Sequence, residues 1–287
     1  MTTRTIFLIT CASSMTIWGA NNSAMQGPVT GYIFDPGIRA IRQVTGMPGA
    51  AYLGAAVVSN VDSAYVSRDG SAAFAVQAGR LVLYTGLTNV TPASVALRGL
   101  ITADRVAWAP GATAAAIYSS KYGQAQIVSG LLQTPSVSAP IDLSALSGEV
   151  AALAFDGQQI ILAVASSGSG GIYIVTPQSV PQRIASAVSP SAISLAGADL
   201  YFVDRQTQQI WQIQSYAQQP TLLLFASDAS LSSLVGLQLS ADNTRLYVAG
   251  AGNGAVTVYD VAARSQIQSI ALNFTPTRLD RFVRNCR

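Results

Sequence analysis

The sequence predicts an all-β chain built as a closed ring of four-stranded units. Two observations carry that expectation. First, alternating apolar strand pairs recur with turn markers at Asp69, Gly111, Asp156, Gly197 and Asp242, spaced 41 to 45 residues apart. Second, a different strand pair fills each interval, so every repeat holds four short strands in about 43 residues, the dimension of one propeller blade.

The first-type pairs are Ala64–Gln77, Arg105–Ser119, Val150–Ala165, Pro190–Asp204 and Leu234–Gly250. Their turns use Asp-Gly and Ala-Asp-Asn, residues that tolerate the positive φ of tight hairpins. The second-type pairs are Arg80–Leu97, Ile172–Ala185, Ile210–Leu224 and Ala255–Ile270, with Gln124–Leu143 fitting more loosely. Five such units make five whole blades. At the start, Gly31–Gly46 reads as a second-type pair without its first pair, and Pro276–Val283 repeats the context of Pro190 entering a strand. The two ends therefore join in one composite closing blade, which removes sheet edges. That makes a six-bladed β-propeller over residues 31–287, with seven blades as the alternative count. The composite blade is one strand short. Thr5–Ala12 fills the gap, or the edge stays open, or the chain is truncated; these stay open.

Leu239–Ala249 (LSADNTRLYVA) and Val256–Ile270 resemble the SPDG…LYV…VxVxD units of bacterial WD40-like and YVTN-type β-propeller repeat proteins. Gly31–Gly54 is similar to the opening of a group of uncharacterised secreted propellers of environmental bacteria. The resemblance spans roughly residues 31–283 and is specific for architecture, because such repeats encode blade packing. Gly-His and Trp-Asp dipeptides of eukaryotic WD40 repeats are absent, so a signalling-scaffold analogy does not carry over.

Composition removes several function classes. The 287 residues include 16 Lys+Arg, 13 Asp+Glu and no histidine. Only 10% are charged, against about 25% in ordinary soluble domains. Without histidine there is no Ser-His-Asp or Cys-His nucleophile and no His-ligated zinc. Lys121 is the only lysine, Glu149 the only glutamate, and no Gly-Lys-Ser/Thr string exists. Gly168-Ser169-Gly170-Gly171 looks like a phosphate cradle, but a strand follows it where a helix N-terminus is required. The basic tail of Arg278, Arg281, Arg284 and Arg287 reads as solvated, without the basic stripe that nucleic acid demands. No internal apolar run reaches the ~20 residues of a spanning helix.

Arg4 followed by Ile6–Ala20 and the polar Asn21–Ala24 reads as a secretory leader over residues 1–24, with Trp18 inside it. Leu8-Ile9-Thr10-Cys11 is a poor lipoprotein match. Removing the leader leaves Cys286 alone, so the mature scaffold rests on packing, as a monomer in the periplasm, at the cell surface or outside the cell.

Propeller ligand sites sit at one mouth of the central channel, on interblade loops and second-to-third-strand loops. The candidates there are Asp104, Arg105, Lys121, Tyr122, Glu149, Asp204, Arg205 and Asn253. They suit a protein partner or a small polar ligand. No catalytic set, metal site or cofactor is expected. The alternative is a calcium-dependent lactonase of the six-bladed kind, whose cation needs several converging carboxylates and amides from among Glu149, Asp104, Asp204 and Asn253. Asp69, Asp156, Asp199 and Asp242 are read as turn residues on the opposite face, and Trp108 and Trp211 as blade core.

Overall fold

A computed structural model describes residues 27–47, 50–168, 170–277 and 279. Six antiparallel sheets follow one another along the chain. The first holds β1 (Val29–Asp35), β2 (Ala40–Thr45) and β3 (Tyr52–Ser59). The second holds β4 (Ser63–Val66), β5 (Ala72–Gln77), β6 (Arg80–Thr85) and β7 (Ala93–Val95). The third comprises β8 (Arg105–Trp108), β9 (Ala114–Ser119), β10 (Gln124–Ser129) and an outer strand split into β11 (Ser136–Val137) and β12 (Ile141–Asp142). The fourth is β13 (Glu149–Phe155), β14 (Ile160–Ala165), β15 (Gly171–Val175) and β16 (Gln182–Ser186). The fifth is β17 (Pro190–Ala196), β18 (Asp199–Asp204), β19 (Gln209–Gln214) and β20 (Thr221–Ser227). The sixth is β21 (Leu234–Leu239), β22 (Arg245–Gly250), β23 (Ala255–Asp260) and β24 (Ser265–Ala271). The chain is a six-bladed β-propeller.

The first blade differs from the sequence reading. Its N-terminal part supplies three strands, not a pair, since Tyr52–Ser59 adds to β2. Bulges after Ile41 and Arg42, and Gly54 within the strand, break the alternation that would have marked β3. Past β3, Val61 donates to the carbonyl of Arg39 in the β1–β2 turn, as Asp228 past β20 donates to Gln208 in the β18–β19 turn, so β1 occupies the second-strand position. The innermost position of blade one is therefore unfilled among the described residues. Leu279 reaches Gly236 on β21, so close that a Cβ on Gly236 would lie 2.5 Å from its Cβ. The chain thus returns to the inner strand of blade six, next to that position. The proposed leader, Thr5–Ala12, most of Pro276–Val283, both cysteines and the arginines of the tail lie outside the described residues.

Packing explains the unusual composition. Each of five apolar clusters lies between two successive blades, one per junction from blades one and two to blades five and six. A middle strand therefore buries both faces. On β18, Leu200 and Phe202 face blade four while Tyr201 and Val203 face blade six. Such strands read as near-continuous apolar runs, as in AAAIYS of β9 and IILAVA of β14, leaving few positions for charge. Trp108 stacks against Phe74 with ring centroids 5.2 Å apart at the junction of blades two and three. Trp211 packs between blades four and five. Both tryptophans are half-buried and pack against these core clusters.

Aspartates anchor the turns at the opposite end of the ring. Asp69 accepts from Ser67 Oγ at 2.7 Å and Ser71 N at 3.0 Å, and Asp242 repeats this with Ser240 Oγ and Thr244 N. At Asp242 these bonds favour the carboxylate and hold its pKa down to about 2. Asp156 accepts from Gln158 N and Gln159 N, and Asp199 from Ser215 N. The turn reading stands for Asp69, Asp156 and Asp242, whereas Asp199 opens β18 and ties it to the start of the β19–β20 turn.

Two buried phenols latch neighbouring blades. Tyr216 donates to Asp156 at 2.8 Å and Tyr259 to Asp228 at 3.0 Å. Burial first, and the carboxylate neighbours next, push both phenols above the usual value of 10.0. A raised folded-state value means that the contribution is intact below pH 10 and disappears as pH rises beyond it. Denaturant midpoints should be flat from pH 7 to 9.5 and fall above pH 10, less steeply in Tyr216→Phe. That variant should itself lose about 1–2 kcal/mol, because Asp156 loses its cross-blade donor.

Candidate functional site

One repeated hydrogen bond defines the face on which the sequence candidates lie. The first or second residue past an outer strand donates its N–H to the carbonyl that ends the second-to-third-strand turn. The bond recurs as Val61 to Arg39, Leu143 to Gly123, Ala187 to Gly170, Asp228 to Gln208 and Leu272 to Gly254. It stitches interblade loops to turns on one end of the ring, here called the top. Four of the acceptors, Arg39, Gly123, Gln208 and Gly254, have φ between 51° and 59° in common. That left-handed residue turns the chain back into the third strand.

The structure brings five of the eight candidates together where blades three and four meet. Asp104 precedes β8, and its carboxylate accepts from Ser120 N and Ser120 Oγ, at 2.5 and 2.6 Å. Ser120 opens the turn that carries Lys121 and Tyr122, so Asp104 braces that turn from below. Tyr65 of blade two donates to the Asp104 carbonyl at 2.8 Å. Arg105 crosses the junction: its Nε donates to the Val150 carbonyl at 2.8 Å, and its Nη2 lies 4.0 Å from Glu149. Tyr118 is buried beneath, its phenol pushed up by burial and by Asp104 and Glu149, with Arg105 opposing.

On this base stand three presented groups. Lys121 Nζ lies 5.3 Å from the Tyr122 ring centroid, a cation–π contact. Tyr122 is 49% exposed and the Glu149 side chain 81% exposed. An ammonium beside an aromatic ring, and a carboxylate next to Arg105, are thus offered to solvent at this junction.

The other three candidates do not join this group. Asp204 ends β18, is 2% exposed, and its carboxylate accepts four backbone N–H groups. The donors are Val188 and Gln206 at 2.9 Å, Ser189 at 3.3 Å and Thr207 at 3.4 Å. Four orphan donors in one loop crossing are satisfied by one buried carboxylate. Arg205 Nη2 donates to the Leu234 carbonyl of blade six at 2.6 Å, which repeats the clamp of Arg105 one junction pair further on. Asn253 Oδ1 accepts from Ala255 N within its own turn. These side chains are occupied in holding the ring. Ser120 and Tyr118 belong to the site and were not singled out from sequence; neither carries a signal beyond its place in an alternating strand end. On blade one, Arg39 and Asp62 pair on the same face.

Among the described residues, no three Asp, Glu or Cys side chains gather in a way that could hold a metal ion. The carboxylates named for the lactonase alternative are dispersed: Asp204 is enclosed by backbone donors, and Asp104 is spent on Ser120. Among the described residues, no helix is long and apolar enough to cross a membrane.

No family model and no curated protein matches the sequence. Solved structures do match the fold. A functionally unknown protein from Desulfotomaculum acetoxidans DSM 771 superposes with a TM-score of 0.60 at 15% identity, covering 83% of this chain and 79% of that one. The β-propeller domain of Cps50 (Swd1) from Myceliophteria thermophila gives 0.56 at 13%, covering 88% and 89%. A chain of the mitotic checkpoint complex gives 0.60 at 13%, covering 84% and 77%. At these identities the likeness shows the propeller fold.

Proposed function

We propose that this propeller is a non-enzymatic protein-interaction module, exported by a bacterium, that docks its partner at the top of the junction between blades three and four. One observation carries the reading. Lys121, Tyr122 and Glu149 stand exposed on a rigid, internally hydrogen-bonded base, while the neighbouring charged residues are consumed in bracing it. Aromatic and charged groups pre-organised on a stiff scaffold are what interface anchors require. A propeller of similar fold sits in the mitotic checkpoint complex, an assembly, which fits the same use of the fold. For a lactonase reading, no cluster of three Asp, Glu or Cys side chains is found among the described residues.

The test compares wild type with Lys121→Ala/Tyr122→Ala/Glu149→Gln. Immobilised protein is offered the exported fraction of a bacterial host, and bound species are quantified. The expected result is at least a tenfold loss of specifically retained protein with a melting temperature within about 1 °C of wild type. Unchanged retention removes this face from consideration, and retention of only small polar molecules replaces the protein partner by a ligand. Export is tested separately, by fractionation and intact mass: the proposed leader should be missing from the exported product.

A further inference from the structure

The end of the ring opposite the top carries an apolar pattern that the fold does not use. The turns between third and fourth strands, at residues 46–51, 86–92, 130–135, 176–181 and 215–220, hold no Asp, Glu, Lys or Arg. In four successive blades, one to four, a large apolar side chain of that turn is exposed: Met47, Val90, Leu132 and Val180. One exposed apolar side chain is ordinary; the same placement in four blades running is not. The core needs of these turns are met by other residues. Leu87 and Leu131, in the same turns as Val90 and Leu132, are buried in the junctions with the preceding blades. The outward side chains beside them add nothing to that packing. Charged residues in the turns at this end lie nearer the axis, as with Asp69, Asp156 and Asp242, apart from Arg264 of blade six, which bonds Gln212.

We propose that this arc of four turns seats the ring on a lipid surface, with Met47, Val90, Leu132 and Val180 inserted where headgroups meet acyl chains. Three observations select lipid over a folded partner. The first is level. The first or second residue past the third strand donates its N–H to the carbonyl just before the second strand, as in Gly46 to Pro28, Gly86 to Ser71 and Leu131 to Thr113. These outer turns therefore start at the same height on their blades, and equivalent points of a ring lie in one plane. A flat, deformable layer meets all four tips at once. The second is spacing. Thr, Ser, Asn, Gln and Pro flank the tips, so no continuous patch is offered. A folded partner would need four matching pockets, whereas acyl chains close around each side chain separately. The third is desolvation. The outer turns of blades one to four bring no ionic group to the contact. Ala50, Asn89, Gln133 and Ser179 each donate their N–H to the carbonyl three residues back, which leaves fewer unpaired peptide groups to bury. An uncharged contact is also indifferent to headgroup charge. The proposal does not rest on the docking site of blades three and four; it turns that face away from the lipid.

Full-length wild type, Val90→Ser, Leu132→Ser, Val180→Ser and the triple variant are floated with phosphatidylcholine vesicles, with and without phosphatidylglycerol. Wild type should float with both compositions, in low and high salt alike. Each single change should weaken partitioning about tenfold, and the triple variant by more than about a hundredfold, since moving one such side chain out of water is worth a factor of that order. Ile38→Ser, on the top face, and Leu222→Ser, on β20, replace side chains that are also exposed and should partition as wild type. All variants should melt within about 1 °C of wild type, because only exposed side chains change. No flotation of wild type overturns the proposal. Equal flotation of wild type and the triple variant also overturns it and assigns binding to another part of the chain. Flotation that requires phosphatidylglycerol and vanishes in salt overturns it too, because charge then holds the protein. Self-association without vesicles that the triple variant loses overturns it and assigns the arc to a second copy.

Discussion

Asp204→Ala should lower the stability of the ring by about 3–4 kcal/mol, the largest effect expected of any residue on the top face. The carboxylate is buried and accepts the N–H groups of Val188, Ser189, Gln206 and Thr207. Truncation leaves several buried donors without an acceptor, each worth about 1–3 kcal/mol if water does not reach it. The sum is bounded because loops relax and the longer bonds, at 3.3 and 3.4 Å, are weak. For a chain of this size the loss corresponds to a melting-temperature drop of roughly 6–12 °C. Asp204→Asn keeps one acceptor oxygen and should lose about half as much. Equal losses for both variants would show that charge, and not the number of acceptors, holds the loop.

Phe74→Ala should destabilise by about 3–5 kcal/mol. Phe74 is fully buried on β5, and its ring meets Trp108 of the next blade, within the cluster that includes Leu83, Ile117, Val128 and Leu131. The surrounding strands are fixed on both sides by hydrogen-bonded ladders, so the cavity cannot collapse easily. Phe74→Leu, which refills most of the volume, should recover more than half of the loss. Urea unfolding with unchanged slope checks that the native state is otherwise intact. A loss under 1 kcal/mol for the alanine variant would mean that blades two and three are not packed through this cluster.

Much of the ring could be read from the residues because propeller packing repeats itself. Five hairpin turns in register, Asp69 through Asp242, located five blades within a residue or two of their strands. What failed to show was the irregular part. β3 lacks alternation because Gly54 and two bulges interrupt it, and the outer strand of blade three is split before Pro140. That the candidates share one face was legible, but not their division of labour. Asp204-Arg205 looks in sequence like an exposed pair of opposite charges, yet one is buried under four N–H groups and the other crosses to blade six. Nothing local separates that pair from Lys121-Tyr122, which is exposed. The difference lies in which backbone groups arrive from other parts of the chain. The low charge content, by contrast, follows from second strands such as β9, β14 and β18, which bury both faces.

The central claim is that top-face residues divide into braces and presented groups. Thermal unfolding of Asp204→Ala beside Lys121→Ala/Tyr122→Ala tests it most directly. The brace variant should melt at least 6 °C lower, and the double variant within about 1 °C of wild type. Equal shifts, in either direction, would contradict the division and with it the placement of the docking site.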